Sequence, residues 1–175
     1  MSDQNRLWLG ALMLSAAGFV GLAVDESYTA RAIPDAVKGA AVPTIGFGST
    51  GADVHMGDTT TPPQALARML RDVRQFEGAI KACVTVPLHQ YEYDAYVNLE
   101  YNIGPQAFCA STLVRRLNAA DYGGACEAIL MWRRVGITDC SLPTNHTCPG
   151  LWARRQRLHA QCLGQAAPPV QETAP

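Results

Sequence analysis

The sequence predicts an α+β fold in which a mostly helical body carries one small β-hairpin. Several segments between residues 62 and 163 repeat apolar residues every three or four positions, which is the period of an amphipathic helix. Residues 30–48 instead alternate short β-type pieces with proline and glycine turn signals. An uncharged apolar run precedes both. We therefore expect a signal-anchor segment over residues 1–24, one globular domain over residues 25–164 and a disordered tail over residues 165–175.

The uncharged run Leu7–Val24 has three interpretations. Its length is at the lower limit of the roughly 17–25 residues that cross a bilayer as a helix. Many of its residues are Gly, Ala or Ser, so its insertion would be weak. Arg6 before the run and Asp25 and Glu26 after it fit an anchor whose body is translocated. We favour a weakly hydrophobic signal-anchor helix over the two alternatives, a cleaved signal peptide and a buried core helix.

The hairpin and the helices follow in order along the remaining chain. Pro34-Asp35 and Lys38-Gly39 are turn signals within the hairpin, and the threonines before Pro62 are typical of a capped helix start. The predicted helices run from Pro62 to about Ala82, from Pro87 to the breaker Gly104-Pro105, and over Ser111–Ala119, Tyr122–Arg134 and Pro149–Leu163.

Charge and cysteine content narrow the class of protein. A net charge of −1 argues against non-specific binding to nucleic acid, although residues 110–175 carry seven arginines against four acidic residues. The six cysteines all follow the apolar run, which fits export to an oxidising compartment. We expect Cys140 to pair with Cys148 across a turn-rich stretch and leave the other pairings open. A zinc site that uses these cysteines, Cys162 and nearby histidines is the alternative.

Three polar residues around the predicted hairpin could form a hydrolytic site. Glu26 lies before the hairpin, Asp35 lies in its turn, and Thr44 starts its returning strand. A helix end followed by a hairpin can direct these groups toward one cleft. Hydrolysis of a glycosidic bond needs one carboxylic acid that protonates the leaving oxygen and a second polar group that directs water. The pattern therefore favours acid–base hydrolysis of a sugar, with solvated surface groups as the alternative.

Four sequence motifs follow one another in a fixed order along the chain. The segment "DESYTARAIPD" followed by "PTIGFGST" is similar to the catalytic segment of the phage-type lysozyme, or endolysin, family. Downstream, "YNIGPQAF" with "STLVRRLN" resembles the helix junction beside its cleft, and "GACEAILMW" with "GLWARR" resembles its last helices. The matches extend over about residues 25–163. The weak anchor directly before the first motif further resembles the signal-anchor-release subgroup, whose members are exported tethered and inactive and then leave the membrane.

The resemblance implies roles for individual residues. Glu26 corresponds to the general acid, Asp35 to the second carboxylate and Thr44 to the threonine that positions water. Eight residues separate Asp35 from Thr44 where the family usually has five, and Ser49 stands where the family often has a histidine. The residues expected to bind the sugar are Tyr101, Asn102 and Ser111, although packing and capping are alternative roles for Tyr101 and Ser111. Arg154 or Arg155 would pair with a carboxylate near the cleft or lie on a solvated helix face.

The implied reaction is hydrolysis of the β-1,4 bond between N-acetylmuramic acid and N-acetylglucosamine in peptidoglycan, without a metal or cofactor. Glu26, at a partly apolar helix end, would protonate the glycosidic oxygen. The alternatives are a lytic transglycosylase and a membrane-tethered wall-binding module without catalysis. We expect a monomer that binds peptidoglycan and no nucleic acid. It would be held in the host inner membrane through residues 7–24, facing the periplasm, and then released into the periplasm.

Overall fold

A computed structural model describes residues 5–35 and 39–165, without the side chains of residues 35, 39 and 40. The chain divides into two compact units. The first, which we call the N-terminal unit, comprises residues 15–78, and the second, the C-terminal unit, comprises residues 1–14 together with residues 79–175. Apart from Gln165, the predicted disordered tail lies outside the described residues.

The apolar run does not form one continuous helix. It contains a short 3-10 turn at Leu9–Ala11 and then helix α1 at Ala16–Glu26. Ser15 begins α1, because its side chain accepts a hydrogen bond from the Gly18 N–H at 3.0 Å. Within the described part of the chain, no helix combines the length and apolar character that a membrane span requires. The predicted helix over residues 7–24 is therefore divided here, and the division falls at the border between the two units.

The predicted hairpin is confirmed in the N-terminal unit, but two residues lie elsewhere in it than expected. Asp35 ends the first strand instead of lying in the turn, and Thr44 lies within the second strand, which starts at Gly39. Strands β1 (Thr29–Asp35) and β2 (Gly39–Gly46) pair antiparallel, and the intervening residues 36–38 lie outside the described residues. The register is irregular on both sides of Ile33, which lies opposite Thr44. A small apolar cluster contains Ala32 of β1, Ile45 of β2 and Val54 from the segment after the hairpin.

Helices α2 to α7 largely follow the predicted pattern. Helix α3 is buried along most of its length, and Tyr93, Tyr96 and Leu99 are fully buried. A short helix after the Gly104-Pro105 breaker was not predicted. The bounds are α2 (Pro62–Cys83), α3 (Gln90–Ile103), α4 (Pro105–Cys109), α5 (Thr112–Asn118), α6 (Tyr122–Ile129) and α7 (Pro149–Cys162).

The helix predicted from Tyr122 to Arg134 ends earlier, at Ile129. The following residues form a second hairpin, in which strand β3 (Arg134–Val135) pairs with strand β4 (Thr138–Asp139). Gly136 adopts a φ of 56° in the two-residue turn between them, which glycine permits at little cost. The Arg133 side chain donates to Asp139 at 2.9 Å and ties the turn to the end of the helical region.

All six cysteines form disulfides. Cys140 pairs with Cys148, as predicted, and the pairings that the sequence left open are Cys83–Cys109 and Cys126–Cys162. The zinc alternative is wrong because its three cysteine ligands are oxidised. Each disulfide closes a loop within the C-terminal unit and lowers the conformational entropy of its unfolded chain.

Candidate active site

Glu26 is the last residue of α1 and is half-buried. The helix ends because Ser27 adopts a φ of 57°, a conformation that non-glycine residues rarely take. Tyr28 then donates its phenolic hydrogen to the Thr60 carbonyl at 2.7 Å, and its ring contacts Phe47 with centroids 5.4 Å apart. These contacts fix the exit from α1, so the position of Glu26 is set by both the helix and the start of β1.

The hairpin register brings Thr44 close to the end of β1. Thr44 lies opposite Ile33, two residues before Asp35 in the sequence, and Asp35 pairs with Gly39. The Thr44 hydroxyl oxygen is buried and has no hydrogen-bond partner among the described residues. The N-terminal unit therefore contains Glu26, Asp35 and Thr44 on three consecutive elements, with the backbones of Asp35 and Thr44 near each other on paired strands.

The first glycine of the "TIGFG" segment, Gly46, occupies a position that a residue with a side chain would not fit. Its φ is 66°, and a Cβ added there would lie 2.9 Å from the Cβ of Ala65 on α2. Real Cβ contacts are not this short, so a side chain would push β2 away from the helix. Gly46 also lies opposite Thr29 at the first pair of the hairpin, next to the end of α1. A small residue here holds the hairpin close to α2.

Ser49, which replaces the histidine expected from the resemblance, is buried and bonded to α2. Its hydroxyl donates to Asp72 Oδ2 at 2.5 Å, and its backbone exchanges two hydrogen bonds with Ile45. Burial raises the pKa of Asp72, and the hydrogen bond from Ser49 partly offsets that effect. The Ser49 hydroxyl thus links the segment after β2 to a carboxyl group on α2. Sequence reasoning missed Asp72, although it lies three residues after the buried Met69 in a helix with a clear apolar face.

In the C-terminal unit, Asn102 is exposed near the end of α3, and its side chain is hydrogen-bonded to Arg155. The Arg155 guanidinium donates through Nη2 to Asn102 Oδ1 and through Nε to the Trp132 carbonyl at 2.8 Å. Because arginine only donates, the oxygen of the Asn102 amide must face it, and the NH2 group points away. Tyr101, the neighbouring predicted residue, is half-buried.

The two arginines of "GLWARR" are not on a solvated face. Arg154 and Arg155 are 6% and 1% exposed. Arg154 donates to the Asn98 side chain at 2.9 Å and to its carbonyl at 3.3 Å. Arg154 and Arg155 therefore both support α3, and each bonds to an asparagine on that helix.

Ser111 caps helix α5. Its hydroxyl accepts a hydrogen bond from the Val114 N–H at 3.2 Å, and the residue is 8% exposed. This geometry supports the capping alternative for Ser111, and contact with a sugar stays a prediction.

Glu100 on α3 is a buried acid that the sequence analysis did not single out. It is fully buried, and neither carboxyl oxygen has a hydrogen-bond partner among the described residues. Burial raises the pKa of Glu100 to about 8, so the group is mostly protonated at neutral pH. Glu100 lies one turn after Tyr96, and an acid at a fully buried position is unusual. Every residue from Glu92 to Glu100 is buried, so no apolar periodicity in the sequence indicated this position.

Comparisons with known proteins agree with this architecture. The family model described as phage lysozyme matches residues 24–157. The endolysin of Salmonella phage P22 is 36% identical over 71% of this chain and 86% of its own length. The SAR-endolysin of Pseudomonas phage phiKMV is 35% identical over 87% of this chain and 88% of its own.

A solved structure extends the likeness to the fold. The endolysin from Escherichia coli O157:H7 phage FAHEc1 superposes with a TM-score of 0.75 at 32% identity, over 91% of this chain and 99% of that one. The family match begins at the end of α1 and includes the hairpin and the helices through most of α7. The chain therefore belongs to the phage lysozyme family and is a lysozyme-type glycoside hydrolase.

Proposed function

We propose that this lysozyme hydrolyses the β-1,4 bond between N-acetylmuramic acid and N-acetylglucosamine, with Glu26 as general acid. Asp35 stabilises the positive charge that develops at the sugar carbon, and Thr44 positions the attacking water. The biological result is lysis of the bacterial host, as the name endolysin of its relatives implies.

The Thr44 hydroxyl is the observation that carries this assignment. It is buried beside the end of β1, and no group among the described residues uses it. A buried hydroxyl without a protein partner costs free energy, about 1–3 kcal/mol, and such a cost is tolerated where the group serves a ligand or water. The hydroxyl can donate to or accept from a water molecule, which is the role the mechanism requires.

The reaction then follows from the three groups. Protonated Glu26 gives its proton to the glycosidic oxygen as the bond to the sugar carbon breaks. Water held by Thr44 attacks that carbon, and the Asp35 carboxylate accepts the proton that this water releases. Proton exchange with solvent then returns Glu26 to its protonated form and Asp35 to its ionised form. Ionised Asp35 stabilises the cationic transition state and is placed on the strand paired with Thr44.

The sugar-binding role of the C-terminal unit centres on Tyr101 and Asn102. The orientation of the Asn102 amide supports this proposal, because Arg155 holds its oxygen and leaves the NH2 group free to donate to a sugar oxygen. Tyr101 offers an aromatic face of the kind on which sugar rings pack.

Residues 7–24 are proposed to tether the enzyme to the inner membrane before release into the periplasm. The name SAR-endolysin of the phiKMV relative supports this, as does the exposure of apolar side chains in α1. Val20 and Val24 are 61% and 53% exposed, so apolar residues occupy the outer as well as the inner face of this helix. No cysteine lies in the run, so activation is conformational and needs no disulfide exchange within it.

Zymography on peptidoglycan tests the acid. Glu26→Gln should lose activity by about 100-fold or more, because Gln cannot donate the proton. The neighbouring Asp25→Asn is the matched control and should keep wild-type activity. Full lysis by Glu26→Gln would refute the assignment. Mass spectrometry of the products gives a second check, since anhydro-muramyl ends would indicate a lytic transglycosylase in place of a hydrolase.

Fractionation of cells tests the tether. Replacing Gly18 and Gly21 by Leu raises the hydrophobicity of the run and should hold the protein in the membrane fraction. A Cβ at Gly21 would meet nothing within 4 Å, so the fold described here has space for the first atom of the new side chain. A double variant that is as soluble as the wild type would contradict the tether.

A further inference from the structure

The start of the apolar run is bound to the C-terminal unit by an ordered set of contacts. Leu7 exchanges two backbone hydrogen bonds with Leu88, each of 2.8 Å. Leu12 is 1% exposed, and its carbonyl accepts from the Lys81 ammonium at 2.7 Å. The next carbonyl, that of Met13, accepts from the Gln90 side chain at 2.9 Å. We call residues 6–13 the arm.

Arg6, the first residue of the arm, makes the strongest contacts. Its guanidinium donates to both carboxyl oxygens of Glu92, at 2.8 Å and 3.2 Å, and lies 3.5 Å from the centre of the Tyr122 ring. The two charged side chains are only 11% and 3% exposed. The planar guanidinium group of arginine can bind both oxygens of a carboxylate and stack on an aromatic ring at the same time, which a lysine ammonium group cannot do.

Glu92 has a second task at the same position. One of its oxygens accepts from the His89 N–H at 2.8 Å, which closes the capping box at the start of α3. The carboxylate is thus buried at a helix end and needs Arg6 to balance its charge. Without Arg6, the start of α3 would contain a buried carboxylate that has lost its cation, which is strongly unfavourable.

From these contacts we propose that the ion pair between Arg6 and Glu92 forms only in the released enzyme and stabilises it against return to the membrane. We call this ion pair the lock. This inference rests on the proposed tether. When residues 7–24 span a bilayer, Arg6 lies on the opposite side from the body, about 30 Å of hydrocarbon away from Glu92. Release brings Arg6 to Glu92 and Tyr122, so the cation that flanks the anchor becomes the partner of the α3 cap.

The lock predicts two effects of Glu92→Gln, which keeps the size of the side chain and an oxygen for the His89 N–H. In the purified released protein the Tm should fall by about 6–12 °C. In cells the ratio of membrane-bound to released protein should rise about tenfold or more, because only the released state loses an interaction. Arg6→Lys, which preserves the positive flank of the anchor, should give a smaller change in the same direction.

A core variant separates the lock from general destabilisation. Leu117→Ala empties a fully buried position on α5 and should lower the Tm to a similar extent. It weakens the body equally in the tethered and released states, so the membrane-to-released ratio should stay at the wild-type value.

Three results would overturn the inference or its basis. If Glu92→Gln leaves the Tm of the released protein unchanged, the lock does not exist. If the Tm falls but the ratio matches that of Leu117→Ala, the lock does not control release. If wild-type protein is never recovered with membranes, the tether is wrong, and the coupling to release is overturned with it.

Discussion

The buried acid Glu100 should make the free energy of unfolding of this lysozyme fall as the pH rises. The substitution Glu100→Gln should remove this dependence. Glu100 is fully buried on α3, and burial raises its pKa from an ordinary value of 4.5 to about 8. The folded protein therefore keeps the Glu100 proton over a pH range in which the unfolded chain has already lost it. Glu100→Gln replaces the protonated acid by a neutral group of nearly the same shape.

The sign and size follow from proton linkage. Because the pKa of Glu100 is raised in the folded state, its contribution to the free energy of unfolding is most favourable below about pH 4.5. That contribution falls as the pH rises and becomes constant above about pH 8. One pKa unit corresponds to about 1.4 kcal/mol, so the loss is about 3 kcal/mol at pH 7 and about 5 kcal/mol above pH 8. The Gln variant lacks this loss, so its stability relative to wild type should increase by these amounts between pH 4.5 and pH 8.

Urea unfolding at pH 5, 7 and 9, with the disulfides intact, measures the difference. Asp53→Asn is the control, because the hydrogen bond from Arg68 holds the pKa of this exposed carboxyl below its usual value. That variant should differ from wild type by a constant amount over the whole range. If Glu100→Gln also differs by a constant amount, Glu100 is ionised in the folded state and the argument from burial is wrong.

Three further predictions concern a disulfide, a glycine and the Asn102 amide. Replacing Cys126 and Cys162 by Ser should cost about 2–5 kcal/mol in urea unfolding, and an unchanged midpoint would show that this bridge does not constrain the chain. Gly46→Ala should lower the Tm markedly, because Gly46 has a positive φ and an added Cβ would lie too close to Ala65. The control Gly10→Ala should leave the Tm unchanged, since Gly10 has open space around it. Equal Tm values for the two variants would contradict the close approach of Gly46 to α2. Asn102→Asp keeps the acceptor for Arg155 but removes the NH2 donor, so KM for peptidoglycan fragments should rise about tenfold with kcat nearly constant, and an unchanged KM would exclude a sugar contact.

Local patterns predicted most of the secondary structure correctly. The three- and four-residue spacing placed α2 within one residue of its observed end, and the alternation of β-type pieces with turn signals predicted the first hairpin. Pro34 and Asp35, which were expected to mark a turn, belong to β1. Where local signals were weak, the prediction was wrong. The helix predicted to reach Arg134 ends at Ile129, since a two-residue turn at Gly136 starts a second hairpin instead.

The sequence predicted the residues of the candidate site, but it did not predict the hydrogen bonds that hold the surrounding residues in place. Glu26, Asp35 and Thr44 were visible as polar groups around a hairpin, and their roles stay predictions. The bond from Ser49 to Asp72 and the bond from Arg155 to Asn102 join residues 23 and 53 positions apart. No periodicity or spacing indicates such pairs, because they depend on how separate elements pack.

The sequence by itself determined most of the helices after residue 62, the first hairpin, the Cys140–Cys148 bridge and the resemblance to phage lysozymes, because each depends on residues close together in the chain or on motifs in a fixed order. The tertiary structure alone decided how the apolar run is divided, where Arg6 binds and that Glu100 is buried. Arg6 and Glu92 are 86 positions apart, and their contact exists only when the arm packs against α3. An ion pair of this kind is set by burial and long-range packing, which local sequence patterns do not encode.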